Sequence, residues 1–134
     1  MELSTKLFKY EDDYELISSW WKSRNHIVID KDLLSDYGVI AYINNKPIGC
    51  MWLYPVLTAK WCMVRFPITD PNTTKEDRNI ALDLIFENIH NISKEMGYKY
   101  MFCTTNTPNL IKRLEKYNYM FDSKDCSHFY GKLG

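Results

Sequence analysis

Cys126 and His128 stand two positions apart, so on a strand both side chains would face one side. A thiol beside an imidazole is the material of a nucleophile or a metal site. Either use needs an orienting carboxylate or a third ligand, and neither lies nearby in the sequence. The pair therefore reads first as structural. His26 with Asp30 and Asp32 is better explained as a solvated polar loop than as a metal site, and His90 reads as a helix-surface residue. No isolated cluster names a reaction, and the chemistry has to be sought in the elements that would position it.

Those elements belong to one domain, 1–134, long enough to bury a substantial core. Lys plus Arg and Asp plus Glu number 17 each, which gives no support to a nucleic-acid or anionic-membrane role. No apolar run approaches bilayer-spanning length. Cys50, Cys62, Cys103 and Cys126 are widely spaced, without a CxxC, and the start Met-Glu lacks a basic stretch followed by an apolar segment. They read as reduced thiols of a cytoplasmic protein.

Residues 2–8 alternate loosely, as a first strand would. Tyr10, Tyr14, Ile17 and Trp21 then recur at helical spacing, with Glu11, Asp12 and Asp13 in the first turn and Lys22 and Arg24 near the last, as the helix dipole prefers. A polar connection follows, with a short helical turn expected near 32–35. Two β-rich runs flank Asn44-Asn45, a pair that tolerates the positive φ of a tight hairpin, and Pro47 belongs at the start of the second run. A third run, 60–71, completes an antiparallel meander. Its Phe66-Pro67 step predicts an interrupted ladder, since Pro has no N–H. Thr74 caps a long helix whose buried stripe is Ala81, Ile85, Ile89, Ile92 and Met96, with Gly97 as its stop. "YKYMFCTT" predicts a central strand buried on both faces. "TNTPNLIKRLEKYNYMF" predicts a helix with Thr107 as N-cap, Pro108 at its first position and Asn118 after its end, and strands are expected at 119–122 and 127–133.

The order β-α-β-β-β-α-β-α-β-β resembles the GCN5-related N-acetyltransferase (GNAT) fold, an α/β fold with a mixed central sheet of about six to seven strands and flanking helices. "NKPIGCMWLY" is similar to the family's hairpin strand. "TNTPNLIKRLEKYNYMF" is similar to its closing signature, with Asn106 and Arg113-Leu114-Glu115-Lys116 in the corresponding places. Compact chains of this kind occur among tailed-phage reading frames, which makes this one phage-like.

The resemblance implies that acetyl-coenzyme A lies between the third meander strand and the next strand. It implies contacts from Phe66, Ile68 and Thr69 to the thioester end, from Arg78, Asn79, Ile80 and Ala81 to the pyrophosphate, and from Asn106. A helix N-terminus suits that anion, because its free amides and dipole favour negative charge. The family's loop is glycine-rich, whereas this one reads Glu76-Asp77-Arg78-Asn79-Ile80-Ala81. Its two carboxylates favour the helix and compete with a phosphate, and Arg78 offsets one of them. The family's proton donor, a Tyr, maps onto Leu114, so the catalytic role would pass to Tyr117, one turn on. Tyr117 reads first as an aromatic closing the helix–sheet core. Arg65 is the inward candidate of the third strand and cannot serve as a base. Trp20-Trp21 would border the acceptor groove or a partner interface, with one of the two in the core.

The function implied is acetyl-CoA-dependent N-acetylation of an amine on a small molecule or protein, with no metal. The alternative is a weak or inactive GNAT-like module that binds a protein partner or a second copy of the chain.

Overall fold

The computed structural model describes residues 1–105, 107–120, 127 and 129–134. The chain forms two compact units, Met1–Cys103 and Thr104–Gly134.

The first unit runs β1 (Leu3–Leu7), α1 (Tyr10–Ser23), a 3-10 turn at Lys31–Leu33, β2 (Tyr37–Ile43), β3 (Lys46–Pro55), β4 (Trp61–Thr69), α2 (Lys75–Glu95) and β5 (Tyr100–Cys103). The strands lie in sequence order; β1 to β4 pair antiparallel, and β5 joins β4 in parallel. This mixed sheet has five strands among the described residues, fewer than the sequence suggests. Asn44 and Asn45 have φ of 50° and 65°, which makes the two-residue hairpin between β2 and β3.

Alternation along the strands sends side chains to two cores. On one face Ile40, Cys50, Trp52 and Ile68 pack with Phe8 and with Ile17, Trp20 and Trp21 of α1. Both tryptophans are buried there, so neither lines a groove; the apolar stripe of α1 needs both to cover the sheet. On the other face α2 lies over β2 and β3, burying Ala81, Ile85, Phe86 and Ile89. His90 is half-buried beside Phe86 rather than on the surface, and burial, then the Lys94 charge, lowers its pKa.

Local chemistry sets the helix ends. Thr74 Oγ1 accepts from the Asp77 amide at 3.1 Å, capping α2. The N-cap of α1 is Lys9, which has no capping side chain. Asp13 compensates by accepting from the Lys9 amide at 2.8 Å and from Lys6 Nζ at 3.0 Å. Asp13→Ala is expected to cost about 1–3 kcal/mol, read as a lower urea midpoint; an unchanged midpoint would remove this contact from the support of α1. The C-terminal ends are alike. Asn25 and Gly97 take φ of 56° and 88°, and the following amides, His26 and Tyr98, donate back to Trp21 and Ser93 at 2.9 and 3.0 Å.

β5 departs from expectation. Among the described residues it is the edge of the sheet, and Tyr100 and Phe102 are 68% and 43% exposed. A strand with neighbours on one side and an open face cannot be buried on both, however apolar its sequence.

In the second unit α3 spans Pro108–Lys116, with Thr107 at its N-cap and Leu114 as its buried residue. It closes as the other helices do: Asn118 has φ 66°, and the Tyr119 amide donates to the Leu114 carbonyl at 2.9 Å. Of the strands expected at 119–122 and 127–133, Tyr119, Met120, 127 and 129–133 are in none. The Tyr119 amide is spent on the helix end, and Phe129 and Tyr130 are exposed, without the burial that sustains a strand. The other positions there, with Cys126 and His128, lie outside the described residues.

Candidate active site

β4 carries the feature that could do chemistry. Its register against β3 shifts between Cys50/Ile68 and Trp52/Arg65, so Phe66 and Pro67 together oppose Met51. Phe66 sits at φ 60°, the left-handed position that such a bulge gives to its first residue and usually reserves for glycine. Holding a Phe there costs about 1–2 kcal/mol. The half-buried Phe66 ring meets Tyr54 edge-on at 6.0 Å, and the Arg65 guanidinium lies 4.9 Å from its centre.

β5 stops short of this bulge. Its pairing with β4 ends at Val64 and Cys103, so Arg65 to Thr69 have β3 on one side and no paired strand on the other among the described residues. The two strands therefore part where β4 is already irregular. Ile68 is buried opposite Cys50, and Thr69 pairs with Gly49.

Beyond β4 the chain turns tightly into α2. Buried Asp70 accepts from the Asn72 amide at 2.9 Å, and the Arg78 guanidinium donates to the Thr73 carbonyl. Thr74 starts the helix earlier than the family loop places its phosphate contacts. Arg78 therefore donates its amide to the Thr74 carbonyl, and Asn79, Ile80 and Ala81 follow inside the helical ladder, Ala81 fully buried. The amides left without a partner among the described residues are those of Thr74, Lys75 and Glu76. The anion-seeking end thus lies a turn before the run singled out in the sequence. Of that run, Arg78 is held beside the turn through its side chain.

Titration limits the choice of chemistry. Burial pushes the Cys103 thiol up to about 11, and burial also raises the thiol of the fully buried Cys50 well above its ordinary value. A thiol near 11 is about one part in ten thousand thiolate at neutral pH, so Cys103 is no covalent nucleophile. Tyr54 is pushed up to about 12 by burial, and its hydroxyl donates to the Leu33 carbonyl at 2.6 Å. Arg65 is exposed and offers no base. No three His, Cys, Asp or Glu side chains among the described residues gather as a metal site, and no helix among them is long and apolar enough to cross a membrane. Tyr117 is the C-cap of α3, half-buried within the second unit, and Asn106 lies outside the described residues.

Two residues of this region escaped the sequence reading. Arg24 passes there for an ordinary helix-end charge, yet it binds Thr69 at the end of β4. Asp70 goes unremarked there at the end of the third run; its signal was the Asp-Pro-Asn turn pattern.

No protein-family model matches the sequence. No curated protein matches it either. Solved structures do. A probable acetyltransferase from methicillin-resistant Staphylococcus aureus superposes with a TM-score of 0.68 at 11% identity, over 98% of this chain and 100% of its own. The fold is that of the GCN5-related N-acetyltransferases. An aminoglycoside acetyltransferase from an uncultured soil metagenomic sample shares this GNAT fold with a TM-score of 0.64, 13% identity, and coverage of 98% and 97%. N-acetylglutamate synthase from Neisseria gonorrhoeae, bound to coenzyme A and N-acetyl-glutamate, matches at 0.62 and 12% over 84% of this chain, which spans only 28% of the synthase. At such identities the likeness is one of fold, and the GNAT frame leaves function to the residues.

Proposed function

We propose that the chain, acting as one domain, transfers an acetyl group from acetyl-coenzyme A to an amine of a small molecule or protein. The reading rests on one observation above others: a bulged β4 that loses its β5 partner just before Phe66, within a GNAT fold. Such an opening admits an extended thioester along the unpaired edge, with amides of Phe66, Ile68 and Thr69 near its carbonyl. The amine lone pair attacks the carbonyl carbon, and negative charge gathers on the oxygen. Fixed backbone amides stabilise that oxyanion at no reorganisation cost. The C–S bond then breaks, the amine gives up a proton, and the thiolate takes one. Direct attack suits a site whose Cys103 is held protonated.

The coenzyme phosphates would lie at the head of α2, among the free amides of Thr74 to Glu76 and the Arg78 side chain, with Asn79, Ile80 and Ala81 behind them. Asn106 would contact the pantetheine. Tyr117 would protonate the thiolate. The co-substrate and the free thiols of Cys50, Cys62 and Cys103 fit the cytoplasm, and no metal enters the scheme.

A second reading is favoured by Leu114, an apolar buried residue where the family carries its proton donor. In it the domain keeps the fold as a binding or regulatory module for a protein partner or a second copy. Calorimetric titration of acetyl-coenzyme A into the purified protein separates the two. Heat saturating at micromolar ligand is expected, and none at high micromolar ligand would sink the enzymatic reading. Where turnover is measured, Tyr117→Phe should lower kcat by about tenfold or more with affinity kept; an unchanged kcat removes Tyr117 from the mechanism.

A further inference from the structure

Arg24 caps the C-terminal end of α1, and its side chain crosses to the end of β4. Nε donates to the Thr69 carbonyl at 3.0 Å and Nη2 to Thr69 Oγ1 at 2.9 Å. Two bonds to one residue hold the planar guanidinium in a single orientation. Of its five N–H donors, these use two, and the other three have no partner among the described residues.

The surroundings are cationic. Burial lowers the Arg24 pKa, and the nearby Arg78 charge lowers it further, with Asp70 opposing. Asp70 cannot neutralise the group alone. It is the one buried carboxylate at the turn, its Oδ1 is taken by the Asn72 amide, and its Oδ2 faces Lys46 Nζ at 3.9 Å. Arg24 feels the charges of both Asp70 and Arg78, Lys46 lies against Asp70, the Arg78 guanidinium is held on the neighbouring Thr73 carbonyl, and Glu76 and Asp77 stand on the first turn of α2. Two guanidiniums held near each other, one pre-oriented with spare donors, are the arrangement that recognises a multiply charged oxyanion.

We propose that Arg24 is a direct ligand of a phosphate group of the acyl donor, supplied by the end of α1 from outside the β4–α2 run. The identity of the anion rests on the acyl-donor reading; the anion site itself rests on the cluster. Arg24 thereby takes over work that a glycine-rich loop performs with backbone amides, which here are hedged by two carboxylates.

The test is calorimetric titration of acetyl-coenzyme A and, separately, inorganic pyrophosphate into the parent chain, Arg24→Lys and Arg24→Gln at low and high salt. Arg24→Gln should weaken both ligands by about tenfold or more, with a shallower salt dependence. Arg24→Lys should retain much of the pyrophosphate affinity, because it keeps the charge and loses only the fork. Equal losses in Lys and Gln variants would reduce Arg24 to a clamp on Thr69 and overturn the proposal, as would parent-like binding by Arg24→Gln. Pyrophosphate bound in an Arg24-dependent way without acetyl-coenzyme A would keep the anion site and discard the acyl donor. Binding of neither ligand ends both. Should Arg24→Gln fail to fold, the Lys variant decides: loss of pyrophosphate binding with the charge retained overturns the assignment.

Discussion

Gly38→Ala is expected to lower the melting temperature by on the order of 10 °C, from a cost of about 3 kcal/mol. Gly38 pairs with Trp52 across β2 and β3, and the indole lies directly over it. A Cβ at Gly38 would sit 2.5 Å from Trp52 Nε1, 2.8 Å from Trp52 Cδ1 and 2.7 Å from Phe8 Cβ. None of these atoms can retreat cheaply. Trp52 is fully buried, stacked at 5.8 Å on Trp21 and edge-on at 5.1 Å to Phe8, so any shift propagates into the α1 core. Trp52→Phe removes the indole nitrogen, and in that background the same Gly38→Ala change should cost clearly less. Thermal unfolding of the four proteins checks this. A Gly38→Ala melt within about 2 °C of the parent would show that the indole is not held as described.

Glu76→Lys should do the opposite to stability and to binding. Glu76 stands in the first turn of α2, where its charge complements the dipole, so its reversal should destabilise the fold by about 0.5–1 kcal/mol. The same change removes a carboxylate from beside the free amides of Thr74 to Glu76 and adds a cation there. Affinity for acetyl-coenzyme A should rise about tenfold at low salt, with a smaller gain at high salt. Melting and calorimetry on one preparation read both effects. A variant that melts lower and binds no better would place the coenzyme phosphates away from the head of α2.

The two experiments probe different kinds of information. The hairpin at Asn44-Asn45, the broken ladder at Phe66-Pro67, the Thr74 cap and the stops at Gly97 and Asn118 were all legible in the sequence. Each depends on residues a few positions apart and on conformational limits that a side chain carries with it: Asn and Gly reach positive φ, and Pro lacks a donor. The resemblance built on them led to the right fold.

Other features could not be read in that way. "YKYMFC" has the composition of a buried central strand, yet β5 lies at the edge with Tyr100 and Phe102 open, because burial depends on what else pairs and packs. The run Arg78-Asn79-Ile80-Ala81 falls inside α2, which letters matched to a motif do not reveal, because the Thr74 cap starts the helix earlier. Arg24 and Thr69 lie 45 residues apart, and no periodicity joins them. By itself, then, the sequence determined the turns, caps and order of elements, all of them short-range. Only the tertiary structure decided that β4 and β5 part at Val64, that an arginine from α1 faces the opening's end, and that glycine is required beneath Trp52. Those facts are contacts between distant residues, and they exist only once the chain has folded.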